Sequence, residues 1–229
     1  MKSEKITRTA APAARWYADA CAAAHALDLL GERWSLLVMR ELIFGPRRFG
    51  ELRAGLPGIS ANVLTQRLEG LEAAGVLRRR RLPPPASVQA YELTEWGLES
   101  ERIFLSLGRW AARSPAHDPS LPLSAASLML SLRAMLDPGK ASGLSARVGF
   151  RLGEDGFLAE LDEGRITLRR GPVEDAAVVF EGAPKAVAAA LYGGRTLEAL
   201  EAAGLLRVEG DRALARRFAG LFPLPPKAG

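Results

Sequence analysis

The sequence predicts an α+β protein with two domains, the first mainly helical and the second built from strands and helices. Three observations carry this prediction. A proline-rich stretch divides the chain near its middle, at residues 114–124. Before it, apolar residues recur at helical spacing and lead into one hairpin pattern, whereas short β-prone runs punctuated by glycine dominate after it. The predicted organisation is therefore a domain at 1–113, a linker at 114–124 and a second domain at 125–226.

Composition and charge narrow the class of protein. The 229 residues are 48% hydrophobic and 25% charged, which is close to the globular average and excludes a wholly disordered chain. The net charge is +5, and residues 1–118 carry most of it, with 17 basic and 13 acidic side chains. A basic surplus permits binding to nucleic acid or to an anionic surface without identifying either.

Several kinds of site are disfavoured by the residue inventory. One cysteine excludes an intrachain disulfide framework, and two histidines far apart in sequence disfavour a metal site or a catalytic triad. The longest uncharged stretch is interrupted by prolines and is too short to span a membrane. We expect no metal, no cofactor, no enzymatic activity and no membrane association. We also expect a cytoplasmic location, because charges interrupt any apolar signal core at Lys2, Glu4, Lys5, Arg8, Arg15 and Asp19.

The first domain begins with two predicted helices. Residues 33–44 carry apolar side chains at helical spacing, and Gly45-Pro46 ends that helix. Arg47 and Arg48 open a short second helical segment, which stops at the turn Pro57-Gly58.

A longer helix follows this turn. Ser60 is a suitable N-cap, because its hydroxyl can accept a hydrogen bond from a free amide of the first turn. Leu64, Leu68 and Leu71 then form an apolar stripe, and Gly75 ends the helix. Two helices joined by a tight Pro-Gly connection predict a helix-turn-helix.

A predicted β-hairpin follows directly. Its strands are residues 76–81 and 88–93, joined by a loop at 82–87. A hairpin after a helix-turn-helix predicts a winged helix. Thr94 can cap a last helix, whose apolar stripe is large enough to bury against a partner and consists of Ile103, Phe104, Leu107, Trp110 and Ala111.

The residues from Cys21 to Trp110 resemble the HxlR family of winged-helix transcriptional regulators. This resemblance implies a cytoplasmic homodimer that binds double-stranded DNA and represses or activates genes. The usual proline after the cysteine is Ala22 here. The matching stretches are residues 26–31 with Trp34, residues 40–42, residues 45–49 with Glu51-Leu52, residues 56–60, residues 66–68 with Leu71, and residues 91–94 with Gly97.

The chemistry of the second helix supports DNA contact independently. With the leucine stripe facing inward, Asn62, Thr65 and Gln66 face outward, and their first-turn position suits the major groove. A carboxamide can pair with both N6 and N7 of adenine. Asn62 is the only asparagine, and Gln66 and Gln89 are the only glutamines, so all three fall on the helix or the wing. The alternative is chance in a chain poor in carboxamides. The predicted contacts here are Ser60, Asn62, Thr65, Gln66 and Gln89.

The arginines of the first domain are candidates for phosphate contact. In the run 78–81, side chains alternate between two faces, and we select Arg79 and Arg81; the alternative is a charged edge that prevents aggregation. Arg47 and Arg48 could reach the DNA backbone or form a solvated surface. Arg67 could contact phosphate or pair with Glu41.

Cys21 has two interpretations. Some HxlR relatives use a cysteine at this place as a redox sensor. Reactivity requires a stabilised thiolate, and the neighbouring alanines carry no charge. A buried, structural cysteine is therefore favoured over a sensor.

The second half alternates helices and strands. A helix is predicted at 125–136, then strands at 146–152, 157–161, 165–168 and 177–180. Two helices follow, the first opened by Pro184, then a strand at 206–209 and a last helix. This order resembles the sterol-carrier-protein-like domain, most clearly at 202–222. The resemblance implies an α+β fold with an apolar cavity for a lipid-like molecule.

The candidate walls of this cavity are apolar residues, each of which is also a natural core residue. Regulation by a ligand would have to reach the DNA-binding domain through dimer contacts, because a proline-rich linker is a poor lever. The favoured function is a dimeric, DNA-binding regulator modulated by an apolar ligand. The alternative is a lipid-binding or transfer protein with a basic accessory module. The candidate walls are Phe150, Phe157, Phe180, Leu191, Leu205 and Phe218.

Overall fold

The computed structural model describes residues 17–84 and 87–229. Two expectations fall partly outside this range. The charged N-terminal segment that argues against a signal core lies largely within residues 1–16, and the predicted wing loop includes Pro85 and Ala86.

The first domain contains the predicted helix-turn-helix. The two helices of this motif are joined by the turn that contains Pro57 and Gly58, and Gly58 has a φ of +91°, which glycine adopts without strain. Ser60 caps the second helix as predicted, because its Oγ accepts a hydrogen bond from the amide of Val63 at 3.2 Å. The helices are α1 (Ala22–Leu30), α2 (Ser35–Leu42), α3 (Phe49–Gly55) and α4 (Ala61–Ala73).

A two-stranded antiparallel wing follows, formed by β1 (Leu77–Arg81) and β2 (Gln89–Leu93). The predicted single last helix is wrong in one respect, because it consists of α5 (Glu95–Glu99) and α6 (Glu101–Ala111). Thr94 caps α5 through the amide of Gly97 at 3.1 Å. The helix breaks at Ser100, whose hydroxyl donates a hydrogen bond to the carbonyl of Gly97 at 2.6 Å.

The second domain is a five-stranded sheet with helices packed against it. The strand order is β5-β4-β3-β6-β7, and β3 and β6 are parallel while the other neighbours are antiparallel. The short helix α8 is absent from the sequence prediction. The elements are α7 (Ala125–Met135), α8 (Pro138–Ala141), β3 (Ala146–Leu152), β4 (Asp155–Asp162), β5 (Arg165–Arg170), β6 (Val178–Gly182), α9 (Pro184–Leu191), α10 (Leu197–Ala202), β7 (Leu206–Gly210) and α11 (Arg212–Ala219).

Helix α7 belongs to the hydrophobic cores of both domains. Leu128, Met129 and Leu132 are fully buried in the core of the second domain, whereas Leu130 packs into the core of the first. The hydroxyl of Ser131 lies 2.7 Å from that of Tyr192, which ties α7 to the end of α9. A helix that is apolar around most of its circumference must be covered on several sides. The two halves therefore contact each other directly through α7.

This contact corrects the expectation that coupling would depend on the linker and on dimer contacts. Helix α7 packs against α6 and α2 of the first domain. No helix within residues 17–84 and 87–229 is long and apolar enough to cross a membrane.

Candidate nucleic-acid interface

The exposed face of α4 carries the polar residues that the sequence predicts for base contact. Leu64, Leu68 and Leu71 are buried, with relative exposures of 0–1%, and fix which side of the helix faces the core. Asn62, Thr65, Gln66 and Glu69 are consequently exposed. The first two turns of α4 thus present two carboxamides and one hydroxyl to solvent.

The arginine run of β1 is divided between the two faces of the wing. Arg78 and Arg80 both donate to the carboxylate of Glu92, at 2.7 and 2.8 Å. Burial opposes the charged form of Glu92, but the hydrogen bonds from Arg80 and Arg78 outweigh it, and the pKa of Glu92 is lowered. Two of the four arginines are therefore tied to a nearly buried acid of the neighbouring strand.

The other two arginines of the run point to the opposite face. Arg79 Nε lies 3.1 Å from Glu72 Oε2 on α4, so this pair joins the wing to α4. Arg81 is exposed and forms no ion pair with any other described residue. Gln89 is also exposed, and its amide lies 3.3 Å from the hydroxyl of Tyr91.

The remaining cationic candidates have different environments. Arg48 is exposed at the start of α3, where its backbone amide donates to Glu51 at 2.7 Å. Arg67 pairs with Glu32 at 3.2 Å, and not with Glu41 as one of the two interpretations supposed. Glu41 instead accepts a hydrogen bond from Nε of Arg40, its neighbour in sequence, at 2.9 Å.

Arg47 has a partner that the sequence does not indicate. Its guanidinium pairs with Asp155 of the second domain, and its side chain is only 15% exposed. Neither a free phosphate contact nor a solvated surface describes it in this conformation. The physical reason is the close packing of the two domains, which brings two residues 108 positions apart into contact.

Cys21 contradicts the expectation of a buried, structural residue. It is exposed immediately before α1. The backbone amides of Ala24 and Ala23 favour the thiolate and lower the pKa of Cys21. The free amides at the start of a helix can stabilise a thiolate even where the neighbouring side chains carry no charge.

Five of the six candidate wall residues of the second domain are buried, as core residues are. Phe150, Phe157, Phe180 and Phe218 are fully buried, and Phe150 stacks on Phe180 with ring centroids 5.7 Å apart. Leu191 is also buried, whereas Leu205 is 48% exposed. These positions are those of core residues, apart from Leu205 at the surface.

A cavity of about 310 Å³ opens between the two domains. Its walls include Glu41, Arg47, Ser124, Leu152 and Asp155, and none of the six predicted wall residues. In the part of the chain that the structure describes, no group of three or more His, Cys, Asp or Glu side chains could hold a metal ion.

Two protein-family models match the chain. The model of the HxlR-like helix-turn-helix covers residues 29–118, and the model of the SCP-2 sterol transfer family covers residues 128–223. The two matches correspond to the winged helix and to the domain with the five-stranded sheet.

Several individual proteins are similar to less than half of this chain. The HTH-type transcriptional regulator sll1512 of Synechocystis sp. is 40% identical over 87 residues, which are 38% of this chain and 64% of that protein. The HTH-type transcriptional regulator YvaP of Bacillus subtilis is 37% identical over 86 residues, 38% of this chain and 80% of that protein. The solved structure of the reduced form of the transcriptional regulator YodB from B. subtilis is 34% identical, with a TM-score of 0.38, and covers 43% of this chain and 98% of that chain.

Proposed function

Because the chain belongs to the HxlR-like helix-turn-helix family, we propose that it is a sequence-specific, DNA-binding transcriptional regulator. The observation that carries this proposal is the outward face of α4, where Asn62, Thr65 and Gln66 are exposed while the leucines opposite them are buried. In a winged helix, the first turns of such a helix enter the major groove. Asn62 and Gln66 are assigned to base edges and Ser60 and Thr65 to groove or backbone contacts.

The wing and the start of α3 supply phosphate contacts in this proposal. Arg81 and Arg48 are exposed without an ion-pair partner among the described residues, and Arg79 lies at the junction of wing and helix. Gln89 at the start of β2 and Arg67 on α4 complete the set. Arg47 joins it only if its pair with Asp155 opens.

We propose that the regulator is a homodimer whose interface includes α6. None of the α6 residues is buried, although several are apolar: Ile103, Leu107 and Trp110 are 47%, 43% and 73% exposed. An apolar stripe of this kind on a helix surface requires a covering partner. A two-fold dimer would place two copies of α4 in successive major grooves of one face of DNA.

Selection of bound duplexes from a random-sequence pool tests the proposed function. We expect one enriched sequence with two related half-sites about 10 base pairs apart, or a multiple of that spacing. Affinity should also fall steeply between low and moderate salt, because bound arginines displace counterions from phosphates. Recovery of an unenriched pool would contradict the proposal.

We further propose that the domain at 125–226 binds an apolar, lipid-like molecule and that residues 114–124 act as its linker. The match of residues 128–223 to the SCP-2 sterol transfer family supports this role. Because the phenylalanines are closely packed, a ligand cavity would have to form by rearrangement around them or beside the exposed Leu205. No catalytic step is assigned to this domain. Cytoplasmic location is part of the same proposal.

Mass spectrometry of organic extracts, together with DNA titrations with and without fatty acids, tests the ligand. A regulator must bind its ligand unequally in the two DNA-binding states, so occupancy is expected to shift DNA affinity. A bound lipid without any DNA binding would favour the alternative, a lipid-binding protein with a basic accessory module. Absence of a lipid together with unchanged DNA affinity would remove the ligand from the proposal.

Cys21 is included in the proposal as an oxidation-sensitive residue. Its exposure and its lowered pKa both favour reaction of the thiolate. Diamide oxidises two thiols to a disulfide, so it should join Cys21 to the Cys21 of a second copy or to added glutathione. We expect this oxidation to change the DNA affinity of the parent chain and to leave Cys21→Ser unaffected. An equal response of the two proteins would exclude this role.

A further inference from the structure

The second domain contacts the short segment between α2 and α3, at Phe44 and Arg47. The ring of Phe44 packs edge-on against Phe157, with ring centroids 5.4 Å apart. The guanidinium carbon of Arg133 lies over the Phe44 ring, 5.0 Å from its centroid. Arg170 Nη1 donates to the carbonyl of Phe44 at 3.2 Å. Side chain and backbone of one residue are thus both held by the second domain.

The contacts of the second domain extend to Arg47, three residues after Phe44. Asp155 pairs with Arg47 through one carboxylate oxygen, and its other oxygen lies 3.3 Å from Arg170 Nε. All three side chains are less than 20% exposed, so solvent screens this cluster weakly. Burial and the nearby charge of Arg47 lower the pKa of Arg170. The carboxylate of Asp155 therefore pairs with two guanidinium groups that repel each other, and the more distant charges of Glu41 and Glu51 also favour the charged form of Arg170.

The segment between α2 and α3 also pairs with the wing, through Arg47. The amide of Arg47 donates to the carbonyl of Tyr91 at 2.9 Å, and the amide of Tyr91 donates to the carbonyl of Arg47 at 2.8 Å. Arg47 thereby adds a third, one-residue strand beside β2. Arg48, the next residue, is the N-cap of α3. The position of Arg47 thus affects both the wing and the first helix of the helix-turn-helix.

We propose that Asp155 is a positioning residue for the DNA-binding domain. It holds Arg47 so that the wing and α3 keep their mutual position, and it keeps the Arg47 guanidinium away from DNA phosphates. The inference rests on the proposed DNA-binding function and extends it, because it assigns part of DNA specificity to a residue of the second domain. Loss of the carboxylate charge removes the ion-pair partner that Arg47 and Arg170 share and releases Arg47.

The substitution Asp155→Asn in the full chain tests this inference, because it removes the charge while retaining size and polarity. The matched control is Asp162→Asn at the other end of β4, where the exposed carboxylate only accepts a hydrogen bond from Ser145 at 2.6 Å. Affinity is measured for a selected duplex and for a random-sequence duplex over a range of salt concentrations.

We expect Asp155→Asn to lower the ratio of selected to random affinity about fivefold, a size usual for coupling through packed elements. The released Arg47 should add about 0.9 to the salt slope on random DNA, the contribution of one phosphate contact. A merely structural loss would reduce both affinities by the same factor and leave their ratio unchanged. Asp155→Glu keeps the charge but moves it by one methylene, so its ratio of selected to random affinity should lie between those of the parent and Asp155→Asn.

Hydrogen exchange of the Arg47 and Tyr91 amides provides a readout that needs no DNA. Exchange of these two amides should accelerate in Asp155→Asn and stay unchanged in Asp162→Asn. If the parent fails to distinguish the two duplexes, the proposed function fails, and the exchange rates still decide whether Asp155 holds the segment. If the parent distinguishes them and Asp155→Asn matches Asp162→Asn in both ratio and exchange, the inference about Asp155 alone is overturned.

Discussion

The hydroxyl of Ser124 donates a hydrogen bond to the carboxylate of Glu41, with an oxygen–oxygen distance of 2.7 Å. Glu41 lies on α2 of the first domain with a side chain only 5% exposed, and Ser124 is the N-cap of α7. Gly55 faces the other carboxylate oxygen, where an added Cβ would lie 2.7 Å away. A buried acid of one domain thus depends on the residue that starts the helix shared by both.

Ser124→Ala is expected to destabilise the chain by about 1–3 kcal/mol. It removes the bond to Glu41 and also the cap of α7, in which Ser124 Oγ accepts from the Ser127 amide at 3.1 Å. The free energy of unfolding in urea measures the loss. Ser142→Ala at an exposed position is the control, and an equal stability of the two variants would exclude this double role of Ser124.

Glu92 should make part of the stability depend on acid. Its pKa is lowered in the folded chain, so its stabilising contribution is complete above the ordinary carboxyl pKa and disappears as the pH falls through the lowered value. Glu92→Gln should therefore cost about 1 kcal/mol near neutral pH, since its arginine partners are well exposed. The gap between parent and variant should close in strong acid.

Urea unfolding at about pH 7 and about pH 3 should show this gap becoming smaller, because paired carboxylates lose their charge progressively below about pH 5. Glu160→Gln is a suitable comparison, because Glu160 forms a surface pair with Arg147 at 3.3 Å. That pair should contribute little at either pH. A gap for Glu92→Gln that persists unchanged in acid would show that the charge of Glu92 is not responsible.

Leu107→Glu should convert the proposed dimer into a monomer, because it places a charge within the apolar stripe of α6. Leu121→Glu introduces the same charge in the linker, where the leucine is 61% exposed, and should leave the dimer intact. Light scattering coupled to size-exclusion chromatography determines the mass of each protein. A parent chain that is monomeric at all concentrations, alone and on DNA, would rule out the α6 interface.

Local patterns in the sequence predict most of the fold, because helices and hairpins depend on periodicity, caps and turns. Ser60, Thr94 and Pro184 begin helices where expected, and β3 has the predicted bounds. The outward face of α4 follows from its leucine stripe in the same way.

The relation between the domains could not be predicted, because it depends on contacts between residues far apart in the chain. The sequence near Arg47 does not indicate that Asp155 is its partner. The pairing of Arg78 with Glu92 depends on the register of the hairpin, which the sequence does not specify. The exposure of Cys21 was missed for a different reason. The uncharged alanines beside Cys21 favour a buried cysteine, whereas Cys21 precedes a helix, α1, that has no buried residue.

Titration of the parent and of Asn62→Ala on matched duplexes tests whether α4 recognises base sequence. One duplex carries the selected sequence, and the others each replace a single A·T pair; Thr167→Ala, an exposed change on β5, is the control. The parent and the control should lose about 1–3 kcal/mol of binding free energy at one A·T position, and Asn62→Ala should lose that preference while still binding DNA. Equal binding of the parent to selected and random duplexes, or full retention of the preference by Asn62→Ala, would contradict the account.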